Sequence, residues 1–346
     1  MDHWEVGCLK IAQILPEFHE GGVERHVLWL SNALVELGHE VTVISAGGKL
    51  EEKLDSKVSF LRLPVQKKNP AKALYSAIRI AIRAKHEGWD ILHAHSRVPA
   101  WISWWTASMV GLPWVVTAHA CYSLNFGLKS YKKADGVICV SEAVRKHLDG
   151  YLPEYSYVIS NGLPYAKEKW RVKSFSENPK FLFVGRLTRL KGLDVVIDAL
   201  AKIPCSEWSL DVVGDGPQRE DLEKQVLNLD LKKRIFFHGF RDDVREWMGR
   251  AGCLLFPSVE EGMGLSFLEA VQIGLPVIAS DLEPVRQMAF RNAVLVKPGD
   301  EKEWEKALKR ALIEGVSSGT FDQSRIPTIQ TMAVNINNLY IKLIRL

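Results

Sequence analysis

The sequence of 346 residues lacks the features that mark several protein classes. None of its five cysteines forms a Cys-X-X-Cys pair, which argues against a zinc ribbon, and their odd number and scattered positions argue against a disulfide scaffold. The formal net charge is only +4, too small to indicate nucleic acid as a partner. The remaining composition is that of a globular protein, with 47% hydrophobic and 25% charged residues, and the length is typical of two domains.

The sequence also lacks an uninterrupted hydrophobic run that could span a membrane. Residues 98–128 carry no Asp, Glu, Lys or Arg, but Pro99 and Gly111 interrupt them, and a spanning helix needs about 20 continuous apolar residues. We interpret the segment as a helix to about Val110, a turn, and a buried strand "WVVTAH". The amino-terminal segment has acidic residues where a signal peptide has basic ones, so we expect a cytoplasmic protein.

Short β-branched segments alternate with helical patterns in two successive series. The first series runs from "LKIAQIL" to "YVIS", and the second opens at "KFLFVG", after the polar, proline-bounded residues 164–179. Such alternation predicts parallel sheets with helices on both faces. We therefore predict an α/β protein with two doubly wound domains, residues 1–165 and 166–325, facing across a cleft that binds the ligand.

Two segments are candidates for binding an anion. Gly21 and Gly22 lie between the first strand and its helix, where a phosphate contact and a merely tight turn remain equally open. Arg186, Arg189 and Lys191 lie just before or within the first turn of a later helix. The helix dipole disfavours each cation there by about 0.3–1 kcal/mol, which favours a bound anion over the alternative of solvated surface charges.

The stretch "EEGMGLSFLEA" places carboxylates around two glycines. Its helix should begin near Leu265 or Ser266, which puts Glu261 on the loop and Glu269 about one turn into the helix. Capping of the helix amino terminus would explain one carboxylate, but it does not explain the whole pattern.

Taken together, these motifs resemble the retaining glycosyltransferases of the GT-B fold, in the large family usually called GT4. The matching pieces are "GGVERHV", "HAHS", "TAH", "VSEAV", "SNGL", "FVGRLTRLKG", "VGDGP", "FHGF" and "PSVEEGMGLSFLEAVQIGLPVIASD". They cover residues 20–281, and the spacing from Glu261 to Glu269 is the most specific of them. The resemblance implies two Rossmann-like domains and a last helix, residues 326–346, that crosses back to the first domain.

The resemblance also implies a donor site for a nucleotide-sugar. Arg186 and Lys191 would bind the diphosphate, Glu269 would accept hydrogen bonds from the ribose, and Glu261 would lie near the transferred sugar. The other implied site residues are Gly22 and the amides of Met263, Gly264 and Leu265 for the phosphates and sugar, Phe240 and Arg241 for the base, and His119 near the sugar. Glu261 and His119 are thus the catalytic candidates.

No metal or other cofactor is expected, because Arg, Lys and backbone amides can stabilise a departing diphosphate. Asp242 and Asp243, two adjacent carboxylates in a plausible loop, are predicted to cap a helix. His93 and His95 alternate on one strand and could ligate a metal, but no third ligand is nearby in sequence, so a cleft-lining or hydrogen-bonded role is favoured. The sequence departs from the commoner motifs of the family at "SNGLP", "TAHA" and "EGMG". These departures bear on the identity of the acceptor more than on the type of reaction.

The acceptor side is indicated by fewer residues. His95 and Arg97 are predicted to face the acceptor. Residues 62–86 contain no acid but many cations, and Leu74, Ile78 and Ile82 form one stripe of a helix. Core packing and contact with anionic lipid both explain that stripe. We expect a peripheral contact with the inner face of the cell membrane and a lipid-linked or surface-polysaccharide acceptor.

The favoured function is therefore transfer of a sugar, with retention of anomeric configuration, from a nucleoside diphosphate sugar. A UDP-sugar is the favoured donor, a glycan or lipid-linked molecule the acceptor, and synthesis of cell-surface polysaccharide or lipopolysaccharide the setting. Two alternatives stay open: a nucleotide-sugar epimerase on the same fold, and a nucleotide-sugar-binding protein that has lost activity.

Overall fold

The computed structural model describes residues 7–19, 21–164, 175, 179–204 and 208–345. The chain divides into two compact units, Met1–Pro164 with Pro327–Leu346, and Tyr165–Ile326. Most of the predicted linker, residues 164–179, lies outside the described residues.

The first unit contains a seven-stranded sheet in which all neighbouring strands are parallel. Its strands are β1 (Lys10–Ile14), β2 (Glu40–Ser45), β3 (Ser59–Arg62), β4 (Ile91–His95), β5 (Trp114–Ala118), β6 (Gly136–Cys139) and β7 (Ser156–Val158). Its helices include α1 (Gly22–Glu36), α2 (Pro70–Glu87), α3 (Arg97–Val110) and α4 (Glu142–Leu148). The strand order is β3-β2-β1-β4-β5-β6-β7, so the winding direction reverses between β1 and β4.

The second unit contains a six-stranded parallel sheet. Its strands are β8 (Lys180–Val184), β9 (Ser209–Val213), β10 (Ile235–Phe237), β11 (Cys253–Phe256), β12 (Val277–Ser280) and β13 (Val294–Val296). Its helices are α5 (Leu193–Ala201), α6 (Arg219–Asn228), α7 (Val244–Arg250), α8 (Leu265–Gln272), α9 (Glu283–Arg286) and α10 (Glu301–Glu314). The order β10-β9-β8-β11-β12-β13 reverses between β8 and β11.

The last helix, α11 (Ile329–Ile344), belongs to the first unit. Its apolar face, which includes Met332, Ile336 and Tyr340, packs in the same core cluster as Ile11 of β1 and Leu30 of α1. Burial of such side chains contributes about 1.5–3 kcal/mol each, so the helix is an integral part of the first unit.

The fold prediction of doubly wound parallel sheets is confirmed in both units. The charge-free segment 98–128 is also resolved as predicted, because α3 ends at Val110 and β5 begins at Trp114. Among the described residues we find no helix with both the length and the apolar character needed to cross a bilayer. In each unit the loops that follow the two strands flanking the reversal are where such sheets bind ligands.

Candidate functional site

Two loops of the second unit meet at the reversal of its sheet, one after β8 and one after β11. The backbone N–H of Val259 donates to the carbonyl oxygen of Leu190 at 2.8 Å, which joins the loops directly. The ammonium of Lys191 forms an ion pair with the carboxylate of Glu261, and the hydroxyl of Ser258 donates to the same carboxylate at 3.1 Å. The structure therefore brings together a predicted cation and a predicted carboxylate that are 70 positions apart.

Glycine permits this close approach of the two loops. Gly192 has a left-handed φ of 63°, and a Cβ there would lie 2.2 Å from the carbonyl oxygen of Pro257. Gly264 has a φ of 74°, and a Cβ there would lie 2.6 Å from the ring of Phe256. Neither position accepts a larger side chain without a shift of its neighbours, so both glycines fix the geometry around the ion pair.

The cations lie before the helix rather than in it. Arg189 to Lys191 form a 3₁₀ turn, Gly192 is left-handed, and α5 begins only at Leu193. Arg186 is exposed and has no hydrogen bond or ion pair with any residue in the described part of the chain. A guanidinium in this state is available to a ligand anion.

The two carboxylates occupy different environments. Glu261 is partly buried on the loop, whereas Glu269 is only 1% exposed on α8. Helix α8 begins at Leu265, as predicted, so that Glu269 lies just over one turn from its start. Met263 and Gly264 precede the helix, and the backbone amides at its start are not needed by the helix itself.

The predicted base-binding residues follow β10. Phe240 is 44% exposed. Arg241 forms a two-pronged ion pair with Asp243, with both N–O distances 2.8 Å, and this guanidinium lowers the pKa of the Asp243 carboxyl. The predicted N-cap position of the Asp242–Asp243 pair is confirmed for Asp243, which precedes α7. Its side chain binds Arg241, however, and makes no capping hydrogen bond to the helix.

A cluster of four histidines lies at the reversal of the first sheet. His95 ends β4 and His119 follows β5, and His95 Nδ1 lies 3.1 Å from His119 Nε2. The ring of His26, on α1, lies 4.8 Å from that of His119 and 5.4 Å from that of His95. The centroid of the His93 ring lies 4.2 Å from that of His95, with the two rings tilted by 34°. No third ligand lies near His93 and His95 in the sequence, but in the fold the end of the neighbouring strand β5 supplies His119 and α1 supplies His26.

Every nitrogen of His93 and His95 has a partner. Tyr340 of α11 and Thr117 lie 2.5 and 2.7 Å from the two nitrogens of His93, and His95 Nε2 lies 2.7 Å from Gln13 Oε1. The predicted hydrogen-bonded role is therefore confirmed for His93. It is also confirmed for His95, whose Nε2 lies beside Gln13 and whose Nδ1 lies beside His119.

Burial keeps these imidazoles neutral. Desolvation lowers the pKa of His26 to about 4, against a partial opposing effect of its hydrogen bond to Asn161. Burial, with repulsion from the neighbouring histidines, also lowers the pKa values of His93, His95 and His119 well below the ordinary range. At neutral pH each ring then offers one N–H donor and one lone pair.

The other two predicted site residues of the first unit, Arg97 and Gly22, lie within four positions of a histidine of the cluster along the chain. Arg97 is the first residue of α3, and its guanidinium carbon lies 5.2 Å from the centroid of the Tyr122 ring. Ser96, between His95 and Arg97, has a left-handed φ of 79°, which is unusual for a residue other than glycine. Gly22 is the first residue of α1, where backbone N–H groups lack helical partners.

Sequence reasoning missed several residues that complete these two sites. Ser258 supports Glu261, and Gln13, Asn161 and Tyr340 each bind a histidine of the cluster. In the sequence, Gln13, Ser258 and Asn161 are marked only by their position near the end of a strand or in a loop. Tyr340 lies inside α11, and the helical period does not distinguish a hydrogen-bond partner from an ordinary core residue.

Known proteins resemble this chain over nearly its whole length. The family model "Glycosyltransferase Family 4" matches residues 20–167, and the model "Glycosyl transferases group 1" matches residues 165–322. The lipopolysaccharide core biosynthesis glycosyltransferase LpsE of Rhizobium meliloti is 23% identical over 303 residues, 85% of this chain and 86% of its own length. The N-acetyl-alpha-D-glucosaminyl L-malate synthase of Bacillus anthracis is 28% identical over 286 residues, 72% of this chain and 73% of its own.

Solved structures share the fold. HepE of Anabaena, crystallised with UDP and glucose, superposes with a TM-score of 0.83 at 20% identity, covering 97% of this chain and all of its own. The sucrose-phosphate synthase of Thermosynechococcus elongatus gives a TM-score of 0.82 at 20% identity, covering 97% of this chain and 99% of its own. At this identity the likeness concerns the fold, which is GT-B.

Proposed function

This chain belongs to the glycosyltransferases that the group 1 and family 4 models describe, and from that membership we propose that it transfers a sugar from a nucleoside diphosphate sugar with retention of anomeric configuration. The donor is a UDP-sugar, and the acceptor is a glycan or a lipid-linked molecule in the synthesis of cell-surface polysaccharide or lipopolysaccharide. One structural relative holding UDP and glucose supports the donor class. One relative named as a glycosyltransferase of lipopolysaccharide core biosynthesis supports the acceptor class.

The observation that carries the proposal is the Lys191–Glu261 pair at the reversal of the second sheet. Lys191 is held between the two loops by a carboxylate that a diphosphate can replace as its partner. The exposed Arg186, five positions earlier, adds a second cation with no competing partner among the described residues. Two cations at a ligand-binding edge, of which Lys191 is already held in place, fit an anion of high charge density.

The remaining donor residues take the roles that the resemblance implies. Glu269, buried on α8, accepts hydrogen bonds from the ribose hydroxyls, and Glu261 lies by the transferred sugar. The amides of Met263, Gly264 and Leu265 bind the phosphates and sugar. Phe240 offers an exposed ring to the base, and Arg241, which forms an ion pair with Asp243, is its neighbour at the same base-binding turn. Gly22, His119, His95 and Arg97 of the first unit remain predictions for the phosphates, the sugar and the acceptor.

Transfer itself needs no metal in this proposal. The leaving diphosphate gains negative charge as the anomeric bond breaks, and Arg186, Lys191 and the amides before α8 can stabilise it. Transfer assays run in excess EDTA should therefore retain activity.

A thermal-shift panel of UDP-, GDP- and ADP-sugars tests the donor. A UDP-sugar at about 100 times its Kd should stabilise the fold by about 2.7 kcal/mol and raise Tm by about 5–10 °C, because it binds only the folded state. The free sugar without nucleotide is the control and should give no shift. If only a GDP- or ADP-sugar raises Tm, the donor assignment is wrong, and if none does, the nucleotide-sugar site itself is wrong.

The surface of α2 supports contact with a membrane. The predicted apolar stripe faces solvent rather than the core: Leu74, Ile78 and Ile82 are 45%, 43% and 62% exposed. The buried face of α2 consists of small residues and one Ile, namely Ala73, Ser76, Ala77, Ile80, Ala81 and Ala84. Core packing therefore does not explain the stripe. We propose that the exposed face of α2, with Lys72, Arg79 and Arg83 beside the stripe, rests on anionic lipid.

Cosedimentation with vesicles tests that contact. Lys72→Gln/Arg79→Gln should weaken binding to vesicles containing an anionic phospholipid about 30-fold, since each cation near such a surface contributes about 1 kcal/mol. The matched control is Lys302→Gln/Lys306→Gln on the exposed face of α10, which should bind like the parent protein. Equal binding to neutral and anionic vesicles, or equal loss in both double variants, would contradict the proposal.

A further inference from the structure

Three histidines of the first unit converge on one point. His26, His95 and His119 each place one ring nitrogen within 4.8 Å of those of the other two. His26 and His95 are 1% and 0% exposed, whereas His119 is partly accessible. They come from three separate elements, α1, the end of β4 and the end of β5, which the sheet reversal holds side by side.

The outer nitrogens of two of these rings are fixed by amide oxygens. His95 Nε2 lies 2.7 Å from Gln13 Oε1, and His26 Nδ1 lies 2.8 Å from Asn161 Oδ1. An amide oxygen can only accept, so both of these nitrogens carry the hydrogen. The orientation of Gln13 is set in turn by its Nε2, which donates to the hydroxyl of Tyr340 at 3.0 Å. The lone pairs are therefore left on His95 Nδ1 and His26 Nε2.

One of those lone pairs has nothing to bind. His26 Nε2 is buried and has no hydrogen-bond partner within the described part of the chain. His95 Nδ1 faces only His119 Nε2, at 3.1 Å. Buried polar atoms are ordinarily satisfied, so an unpartnered nitrogen in a histidine cluster indicates a missing ligand.

We propose that His26, His95 and His119 bind a single divalent transition-metal ion, with Zn²⁺ the best match to three imidazoles. Imidazole nitrogens favour such ions over Mg²⁺ or Ca²⁺, and a zinc site of three histidines leaves a fourth position open. Metal-bound histidines donate their other N–H to an oxygen acceptor, which is the arrangement of His95 with Gln13 and of His26 with Asn161. His93 is excluded, because Tyr340 and Thr117 occupy both of its nitrogens.

The proton balance of binding is simple. In the metal-free protein His119 Nε2–H donates to His95 Nδ1. When the ion binds, His119 carries its hydrogen on Nδ1 instead, so the neutral ring keeps its single hydrogen and its Nε2 lone pair binds the ion. Tetrahedral ligand nitrogens lie about 3.3 Å apart, so the most widely separated pair, at up to 4.8 Å, closes by about 1.5 Å through side-chain rotation.

Titration of the EDTA-treated full chain with Zn²⁺ tests the site, and it needs no sugar donor, so it stands apart from the proposed function. Calorimetry should give one bound ion per chain. Co²⁺ in place of Zn²⁺ should give visible absorption typical of tetrahedral nitrogen ligation, without the near-ultraviolet band of a cobalt–thiolate bond. That last point matters because Cys121, which forms no disulfide within the described part of the chain, lies two residues from His119.

Three variants and a control locate the ion. His26→Gln and His119→Gln each remove a ligand and should weaken binding at least about 100-fold, while Asn161→Ala removes only a hydrogen-bond partner of a ligand and should weaken it about 10–100-fold. His86→Gln, on the exposed face of α2, should bind like the parent chain.

The outcomes decide the proposal in either direction. Absence of a 1:1 isotherm, unchanged affinity in the His119 variant, or a thiolate band would overturn it. Circular dichroism of the metal-free variants shows whether each has folded. If the buried His26 variant does not fold, the partly accessible His119 and the Asn161 variants still carry the test.

Discussion

Lys191→Ala is expected to lower kcat/KM for the sugar donor by about 100- to 1000-fold. Lys191 is the cation held at the meeting point of the two loops, and a preorganised donor to a developing anion is worth that much when it is removed. The loss should fall mainly on kcat, because the charge on the diphosphate is greatest in the transition state. Steady-state kinetics of transfer and of donor hydrolysis measure the effect.

The matched control is Lys202→Ala in the same unit. The side chain of Lys202 is 51% exposed and forms an ion pair with Glu301. The Lys202→Ala variant therefore loses the same atoms as Lys191→Ala, together with an ion pair at the surface. Its kinetics and its melting temperature should match those of the parent protein, because an exposed ion pair contributes only about 0–1 kcal/mol. The Lys191–Glu261 pair is partly buried, so circular dichroism of the Lys191 variant is needed to show that it has folded. Parent-like rates in the Lys191 variant would remove the basis of the assignment.

Glu269→Gln should reduce donor use by about 100-fold. A carboxylate that accepts hydrogen bonds from two ribose hydroxyls contributes about 1.5–3 kcal/mol for each such bond, and an amide offers only one accepting oxygen. Here the loss should appear largely in KM, since the ribose is held alike in the ground and transition states. The distribution between kcat and KM thus distinguishes the role of Glu269 from that of Lys191.

Glu260→Gln is the control for that measurement. Glu260 is an exposed neighbour of Glu261 on the same loop, and the change is chemically identical. It should leave both kinetic constants unchanged. Equal losses in the two variants would show that the loop is sensitive to charge in general, and the ribose role of Glu269 would then fail.

Product analysis separates the proposed reaction from its two alternatives. Incubation of the donor alone converts it to an isomeric nucleotide-sugar if the protein is an epimerase, and leaves it bound but unchanged if the protein has lost activity. A retaining transferase needs the acceptor, and the anomeric configuration of its product, read by NMR coupling constants, equals that of the donor.

The sequence alone predicted the donor side of the second unit in some detail. It predicted the start of α8 at Leu265 or Ser266 and the positions of Glu261 and Glu269 about that start, because glycine followed by a periodic apolar run defines a helix boundary locally. It did not predict that Lys191 and Glu261 form an ion pair. That contact depends on β8 and β11 being neighbours, and strand order is a property of the whole sheet.

The histidine cluster illustrates the same limit more strongly. His93 and His95 share a face through the two-residue period of a strand, which is visible in the sequence. His26, His119 and Asn161 join them only because the start of α1, the end of β5 and the loop after β7 lie at the same edge of the sheet. No local pattern records that meeting.

Local pattern determined which segments of this protein are helices and strands, since hydrophobic period and glycine position act over a few residues. Tertiary packing decided which face of each element is buried. In α2 two faces could have met the core, and the one with Ala73, Ala77 and Ala81 does so. Small side chains let α2 approach its neighbour α3 closely, and Leu74, Ile78 and Ile82 are left in solvent. The helical period of a sequence shows which residues share a face of a helix, but it does not show which face packs against the core.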